Sequence, residues 1–282
     1  MTETIGHQMA TLEDRVEART RELREARDRA AAADAAKTRF LATMNHELRN
    51  PLNAVLGYAD IIRRKTFGER PDSDAAHAQT IHESASHLLE LVDDVLAMAK
   101  LDHGTYTIDP AWVDVAEVAR LCGRMIQPQA DARGVALEPR VDDAVPALWV
   151  DERALRQMLV NLLGNAVKFA GERGRVVLTA GRTGDGGLAL NVTDTGPGIA
   201  PEDQSRILEP FEQTANAAGA GTGLGLAITA GLMHLHDGEV RLNSALGAGS
   251  TFTLWFPATR VASGPATARD PLPHKRGGHP AL

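Results

Sequence analysis

The feature that most restricts this chain of 282 residues is a heptad seam near its start. From Leu12, the positions Leu12, Val16, Arg19, Leu23, Ala26, Ala30, Ala33, Lys37, Phe40 and Met44 alternate steps of four and three, with charged residues on the outer faces. Another helix covers such a stripe far better than water does, so the segment predicts a parallel two-helix coil. The seam is thin where Arg19, Lys37 and the alanines interrupt it, and a lone amphipathic helix is the alternative. The stripe continues as Met44, Leu48, Leu52, Val55, Ala59 and Ile62, and the run of fours through 40, 44, 48 and 52 shifts it as a stutter does. Residues 66–76 (TFGERPDSDAA) read as a turn. A second heptad run follows through Ile81, Ala85, Leu88, Val92, Val95 and Ala99. Two helices joined by a turn make an antiparallel hairpin with too little interior of its own. Two hairpins pairing into a four-helix bundle predict a homodimer.

After Gly104 the texture changes to strands alternating with helices. Candidate strands are 137–141, 147–150, 175–182, 187–193, 239–244 and 250–256; candidate helices are 113–133, 152–169 and 224–235. In the last strand Phe252, Leu254 and Phe256 face one way while Thr251, Thr253 and Trp255 face the other. Hairpin-type strands mixed with helices predict an α+β two-layer sandwich. Residues 257–282, rich in Pro, Gly and basic side chains, are expected to form a disordered tail. Apolar residues make up 43% of the chain and aromatic ones 4%, so the core is aliphatic. The net charge of −7 has the wrong sign for coating nucleic acid. A single cysteine, a polar N-terminus and no apolar run of the roughly 18–20 residues that span a membrane predict a cytoplasmic chain.

Four clusters carry chemistry. His46 lies about 200° round the helix from Met44 and from Leu48, so it points to solvent. A solitary exposed His is ordinarily without function, but its neighbours argue otherwise. Glu47 can orient the imidazole or take a proton, and Asn50 lies one turn on along the same face. Pro51 weakens the helix just beyond. That setting suits a covalent phosphoryl acceptor. Second, Asn161, Asn165 and Lys168 share one helix face, opposite Leu159, Leu162, Leu163 and Ala166. Two amide oxygens suit a hydrated hard cation such as Mg²⁺, and the ammonium suits a phosphate; an ordinary solvated face is the equal alternative. Third, Asp194-Thr-Gly196-Pro-Gly198 follows a strand, where a carboxylate can accept from an exocyclic amine and glycine lets a ligand approach the backbone. A plain turn is the alternative. Fourth, Gly219-Ala-Gly221-Thr-Gly223-Leu-Gly225 opens a helix, and its amides can cradle an anion. Residues 199–220 before it would make a lid. His234 and His236 point to different faces, His82, His87 and His103 read as surface residues, and Cys122 as a small core residue.

Taken in order, HELRNPL, NLLGNAVKF, DTGPGI, EPF and GTGLGL closely resemble the H, N, G1, F and G2 boxes of the sensor histidine kinases, over about residues 34–256. The resemblance implies four segments: a signal-input helix or coiled coil at 1–36, a dimerisation and phosphotransfer hairpin at 37–106, an ATP-binding domain at 107–257 and the tail at 258–282. That ATP-binding domain has the fold shared with Hsp90, gyrase B and MutL. It implies a protein-histidine kinase of a two-component system in which ATP phosphorylates His46 and Glu47 assists proton transfer. A response-regulator aspartate then receives the phosphate, and Asn50 positions water for dephosphorylating that partner. Asn165 matches the Mg²⁺ ligand with Asn161 in support, and Lys168 reaches the phosphates beside Phe169. Asp194 matches the acceptor for the adenine amine, and Gly196 and Gly198 make room for the base. Phe211 matches the lid residue, and Gly221, Thr222, Gly223, Leu224 and Gly225 the phosphate turn. An upstream sensor module is expected to supply the signal. Two rivals stand beside this reading. A hydrolytic ATPase would resemble Hsp90-type relatives in carrying a glutamate where this chain has Asn161. A degenerate kinase acting as scaffold or phosphorelay would have lost Asn165, Asp194 or the glycines of the turn.

Overall fold

In a computed structural model the described residues are 19–21, 24, 27, 48–62, 71–210 and 223–265. The chain divides into two units, Met1–Leu89 and Glu90–Leu282. In the first, residues 19–21, 24 and 27 are helical, and the rest of the 12–44 seam, with His46 and Glu47, lies outside the described residues. Helix α1 covers 48–62, and helix α2, Pro71–Asp102, runs on into the second unit. The helix therefore covers residues 71–76 of the expected turn at 66–76, and the rest of that turn lies outside the described residues. Proline supplies the φ of a first helical turn. Tyr58 of α1 meets His77 of α2 with ring centroids 5.3 Å apart. Leu52, Leu56 and Leu89 stay exposed in the single chain. Further along α2, Leu91 is buried while Val92 and Leu96 are exposed. The most enclosed residue of that stretch is thus one position away from the expected seam.

The second unit is built on a five-stranded sheet. Its strands are β2 Ala136–Arg140, β4 Arg175–Arg182, β5 Leu188–Asp194, β6 Glu239–Ser244 and β7 Ser250–Phe256, ordered β2-β4-β5-β7-β6. Only β2 and β4 are parallel. Alternation decides which face is covered: Val176, Leu178, Leu190, Val192, Phe252, Leu254 and Phe256 are buried. Helices α3 Val115–Arg133, α4 Glu152–Phe169 and α6 Gly225–Leu235 bury their apolar sides against the sheet and one another. On the other face Thr253 donates to Asn191 (2.7 Å), and Thr193 and Thr251 pair at 3.0 Å. The expected helix-on-sheet layers are present, and Cys122 is fully buried, its thiol pushed up to about 11 by that burial.

A second sheet was not foreseen. Strands β1 Ala111–Val113, β3 Pro146–Val150 and β8 Val261–Pro265 form it in the order β1-β3-β8. Strand β8 and the short 3₁₀ turn Ala258–Arg260 fall in the stretch expected to be a disordered tail. Tertiary contacts order them against their composition. The Arg260 guanidinium donates to Trp149 O (3.0 Å) and to Asp237 Oδ2 (2.9 Å), and Arg182 donates to Ala262 O.

One node ties these parts together. Asp151 caps α4, accepting from the N–H groups of Arg153 (2.9 Å) and Ala154 (3.3 Å) and, through its other oxygen, from Asp109 N–H (2.9 Å). Its own N–H donates to His236 Nε2 (3.1 Å), which leaves Nδ1–H to donate to Leu232 O (2.7 Å). His236 is therefore a buried structural residue at the end of α6, while His234 is exposed, so the two do face different ways. The expectation for His82 and His103 holds, since both are exposed. The end of α2 also touches α6: a Cβ on Gly231 would come within 2.9 Å of Leu101 Cδ1.

Burial drives the His236 pKa below its ordinary 6.5; the bond to Leu232 O opposes this and nearby Arg260 adds to it. A histidine with a depressed folded pKa contributes stability above its unfolded value, and this is lost as pH falls through the folded one. The urea midpoint of the second unit should therefore drop between about pH 7.5 and about pH 5.5. In His236→Gln, whose amide can keep both hydrogen bonds without titrating, that drop should be smaller. Equal slopes for the two proteins would refute this role of the imidazole.

Candidate active site

Helix α4 supplies the first wall. Its buried side is Leu155, Leu159, Leu162, Leu163 and Ala166, each leucine contributing about 1.5–3 kcal/mol. That burial leaves Asn161, Asn165, Lys168 and Phe169 half-buried along the last turns. Lys168 Nζ lies 5.1 Å from the Phe169 ring centroid. The spacing read from the sequence thus places both amides and the ammonium on one side.

The second wall is the end of β5. Asp194 is buried, 7% exposed, and its Oδ1 accepts from Gly196 N–H at 2.8 Å. Burial raises its pKa above the ordinary 3.8; the N–H groups of Gly196 and Ser250 counteract this only in part. Gly196 is needed for room, because a Cβ there would come within 2.5 Å of Phe169 O. The Asp194 loop therefore lies directly against the end of α4. Gly198 has φ +73°, and a Cβ there would collide with the backbone of Ala245 in the β6–β7 turn.

The third wall is the start of α6. Asn161 Nδ2 donates to Gly225 O at 3.1 Å, and Thr229 Oγ1 donates to the same oxygen at 2.8 Å. The amide nitrogen of Asn161 is thus committed to fastening α4 to the glycine-bearing turn. Gly223 and Gly225 are half-buried, and Leu224 is buried. Asn50, on α1, is exposed. Phe211, Gly221 and Thr222, and residues 211–220 of the expected lid, lie outside the described residues, as His46 and Glu47 do.

The structure adds a fourth side that sequence reasoning passed over. The β6–β7 turn donates Gly247 N–H to Pro197 O (2.7 Å), and Ser250, buried, sits opposite Asp194 in the sheet register. The signal was present as Gly247-Ala-Gly249-Ser250 between two strands. Among the described residues no three His, Cys, Asp or Glu side chains gather as a metal site. A cation here would rely on amide oxygen, water and the ligand's own phosphates. The half-buried Asn165 amide and Lys168 ammonium suit such a guest.

A buried carboxylate at a strand end, an amide-bearing helix and a glycine turn opening a second helix are the parts of an ATP-binding domain. Residues 150–260 match the family "Histidine kinase-, DNA gyrase B-, and HSP90-like ATPase". Residues 36–104 match "His Kinase A (phospho-acceptor) domain". The chain belongs to the sensor histidine kinases, with the phosphoacceptor region preceding the ATP-binding domain. It is 41% identical over 253 residues to the histidine protein kinase DivJ of Caulobacter vibrioides, covering 89% of this chain and 42% of that protein. It is 37% identical over 280 residues to the circadian input-output histidine kinase CikA of Synechococcus elongatus, covering 98% of this chain and 37% of that one. Among solved structures, full-length ShkA in complex with AMPPNP matches with TM-score 0.61 and 37% identity, over 80% of this chain and 46% of that one. The chain thus spans less than half the length of these relatives. No helix among the described residues is long and apolar enough to cross a membrane.

Asp194 gives a paired prediction. A carboxyl whose folded pKa is raised contributes stability below its unfolded value, lost as pH rises through the folded one. At neutral pH the buried charge therefore weighs against folding. Asp194→Asn, which keeps an acceptor for Gly196, should melt no lower than wild type without nucleotide. ATP affinity should nevertheless fall on the order of 10–100-fold, because a charged acceptor is lost. Calorimetric melting and nucleotide titration check the two halves independently.

Proposed function

We propose that the protein is an ATP-dependent autophosphorylating histidine kinase, active as a homodimer in the cytoplasm, that passes its phosphoryl group to a response-regulator aspartate. The observation that carries this reading is Asn161. The hydrolytic relatives resemble one another in having a water-activating glutamate at this place. Here an amide without basicity stands there, its nitrogen bonded to Gly225 O at 3.1 Å. With no base poised at that position, water has no activator there, and an external nucleophile takes its role.

His46 is that nucleophile. A ring nitrogen attacks the γ-phosphorus, the bond to the β,γ-bridging oxygen breaks, ADP leaves, and the imidazole proton passes to Glu47. Asp194 accepts from the adenine amine, and Gly196 and Gly198 let its loop pack against the end of α4 and the β6–β7 turn. Lys168 holds phosphate charge, with Phe169 beneath its ammonium, and the amides of Gly221, Thr222, Gly223, Leu224 and Gly225 face the phosphates. Mg²⁺, when bound at Asn165 with Asn161 nearby, neutralises phosphate charge. Phe211 closes over the nucleotide as part of the lid. The phosphoryl group then leaves His46 for the regulator carboxylate. Asn50 orients a water that later removes it, so the protein is a phosphatase of its partner as well. The signal arrives from an upstream sensor module through the 12–44 coil and shifts the population of docked states.

Incubation with radiolabelled ATP and Mg²⁺ should label the protein in an acid-labile, alkali-stable form, and His46→Ala should abolish the label. Phosphate release that survives His46→Ala would instead restore the ATPase reading. Asn50→Ala should keep the label and slow dephosphorylation of the regulator, on the order of tenfold or more for a lost water-positioning group. A regulator that loses phosphate at the wild-type rate would remove Asn50 from the mechanism.

A further inference from the structure

Between Ile199 and the β6–β7 turn lies a polar clasp that none of the sequence motifs contains. Its centre is Gln204, the last residue of the short helix α5, Pro201–Gln204. The Gln204 Nε2 group donates to Ile199 O at 2.9 Å and to Ser244 O at 3.0 Å. Two carbonyl oxygens face one amide group, which fixes its orientation: flipped, it would set Oε1 against both. Ser244 closes the clasp from the other side. Its Oγ accepts from Ile199 N–H (2.9 Å) and lies 2.9 Å from Gly249 O and 3.0 Å from Ser250 Oγ. Both backbone groups of Ile199 are therefore held, one by each residue. All these side chains are half-buried or buried.

The clasp spans the place where the base is read. Ile199 ends the Asp194–Ile199 loop, and Gly249 and Ser250 are the residues whose backbone lies against Asp194. Fixing Ile199 to Ser244 fixes the loop to the turn, and with it the slot between Gly196 and Ser250 into which the Asp194 carboxyl is set. Neither Gln204 nor Ser244 is an expected ligand contact. We infer that Gln204 and Ser244 are positioning residues for the nucleotide base, holding the Asp194 loop in its binding geometry before the ligand arrives. This rests on Asp194 being the base acceptor.

The test is titration of the full chain with ADP, followed by autophosphorylation at varied ATP. Wild type that fails to bind ADP would overturn the base-site reading itself, and the clasp with it. If wild type binds, Gln204→Leu should lose about tenfold in ADP affinity, the worth of two neutral hydrogen bonds. KM for ATP should rise by a similar factor with kcat little changed, because a preorganised binding loop acts before the chemical step. Gln204→Glu separates donation from packing. It is the closer isostere, so a space-filling role would make it milder than Gln204→Leu. A donating role makes it worse, since a carboxylate would face two carbonyl oxygens. Ser244→Ala provides a second variant whose effect should be less than additive with Gln204→Leu, as both hold Ile199. Wild-type affinity in both single variants, an unchanged KM with reduced kcat, or a milder Gln204→Glu would each overturn the proposal.

Discussion

The Asp151 carboxylate is a point on which four separate segments of the second unit depend. Three backbone N–H groups converge on it, and its own amide is given to His236. These bonds join the segment after α2, the end of β3, the start of α4 and the end of α6. Burial alone would raise its pKa; the donors from Asp109, Ala154 and Arg153, with the Arg153 guanidinium, overcome this and hold it below the ordinary carboxylate range. It therefore stays ionised where helix α4 needs a negative cap. Because α4 is a stiff rod, setting its first turn also sets the position of Asn161, Asn165 and Lys168, about three to five turns away.

The two buried aspartates of this unit make an instructive contrast. Asp151 is surrounded by donors and is stabilised as an anion, whereas Asp194 has fewer and is pushed toward its neutral form. The first is a finished structural element. The second keeps unmet capacity to accept a hydrogen bond, which is what the proposed role toward an adenine amine requires. Environment, not residue type, separates scaffold from site.

Much of this was legible in the sequence, for stated reasons. The strands 175–182, 239–244 and 250–256 declare themselves because one face is buried, so apolar and polar residues alternate. Strand β1 is only three residues long, and β8 (Val-Ala-Ser-Gly-Pro) has no alternation to read. Both exist through edge pairing with β3, and β8 also through Arg260, which lies 111 residues from the carbonyl of Trp149 that it binds. That Asn161, Asn165 and Lys168 share one side of α4 could be read because local spacing places them, whereas Asp194 was singled out by its motif. That the Asn161 amide seizes Gly225 O, 64 residues on, could not be read from spacing. The same holds for Gln204 and Ser244, whose partners come together only once β6 and β7 have paired. The tie from His236 to Asp151 could not be read either, because a buried neutral imidazole leaves no periodic trace.

Helix α6 also has a mechanical consequence. Gly225 at its first turn is fastened to Asn161, and Gly231 seats Leu101 from the end of α2. The two glycines are six residues apart on a single hydrogen-bonded rod, about 9 Å along its axis. A helix of this length resists bending, so it transmits displacement rather than absorbing it. On a rigid rod, a sideways shift of the Gly225 end would tilt the seat beneath Leu101, and a push from Leu101 would tilt the turn. The two ends therefore report on each other without any chain of intermediate contacts, in the way that the arms of a balance do.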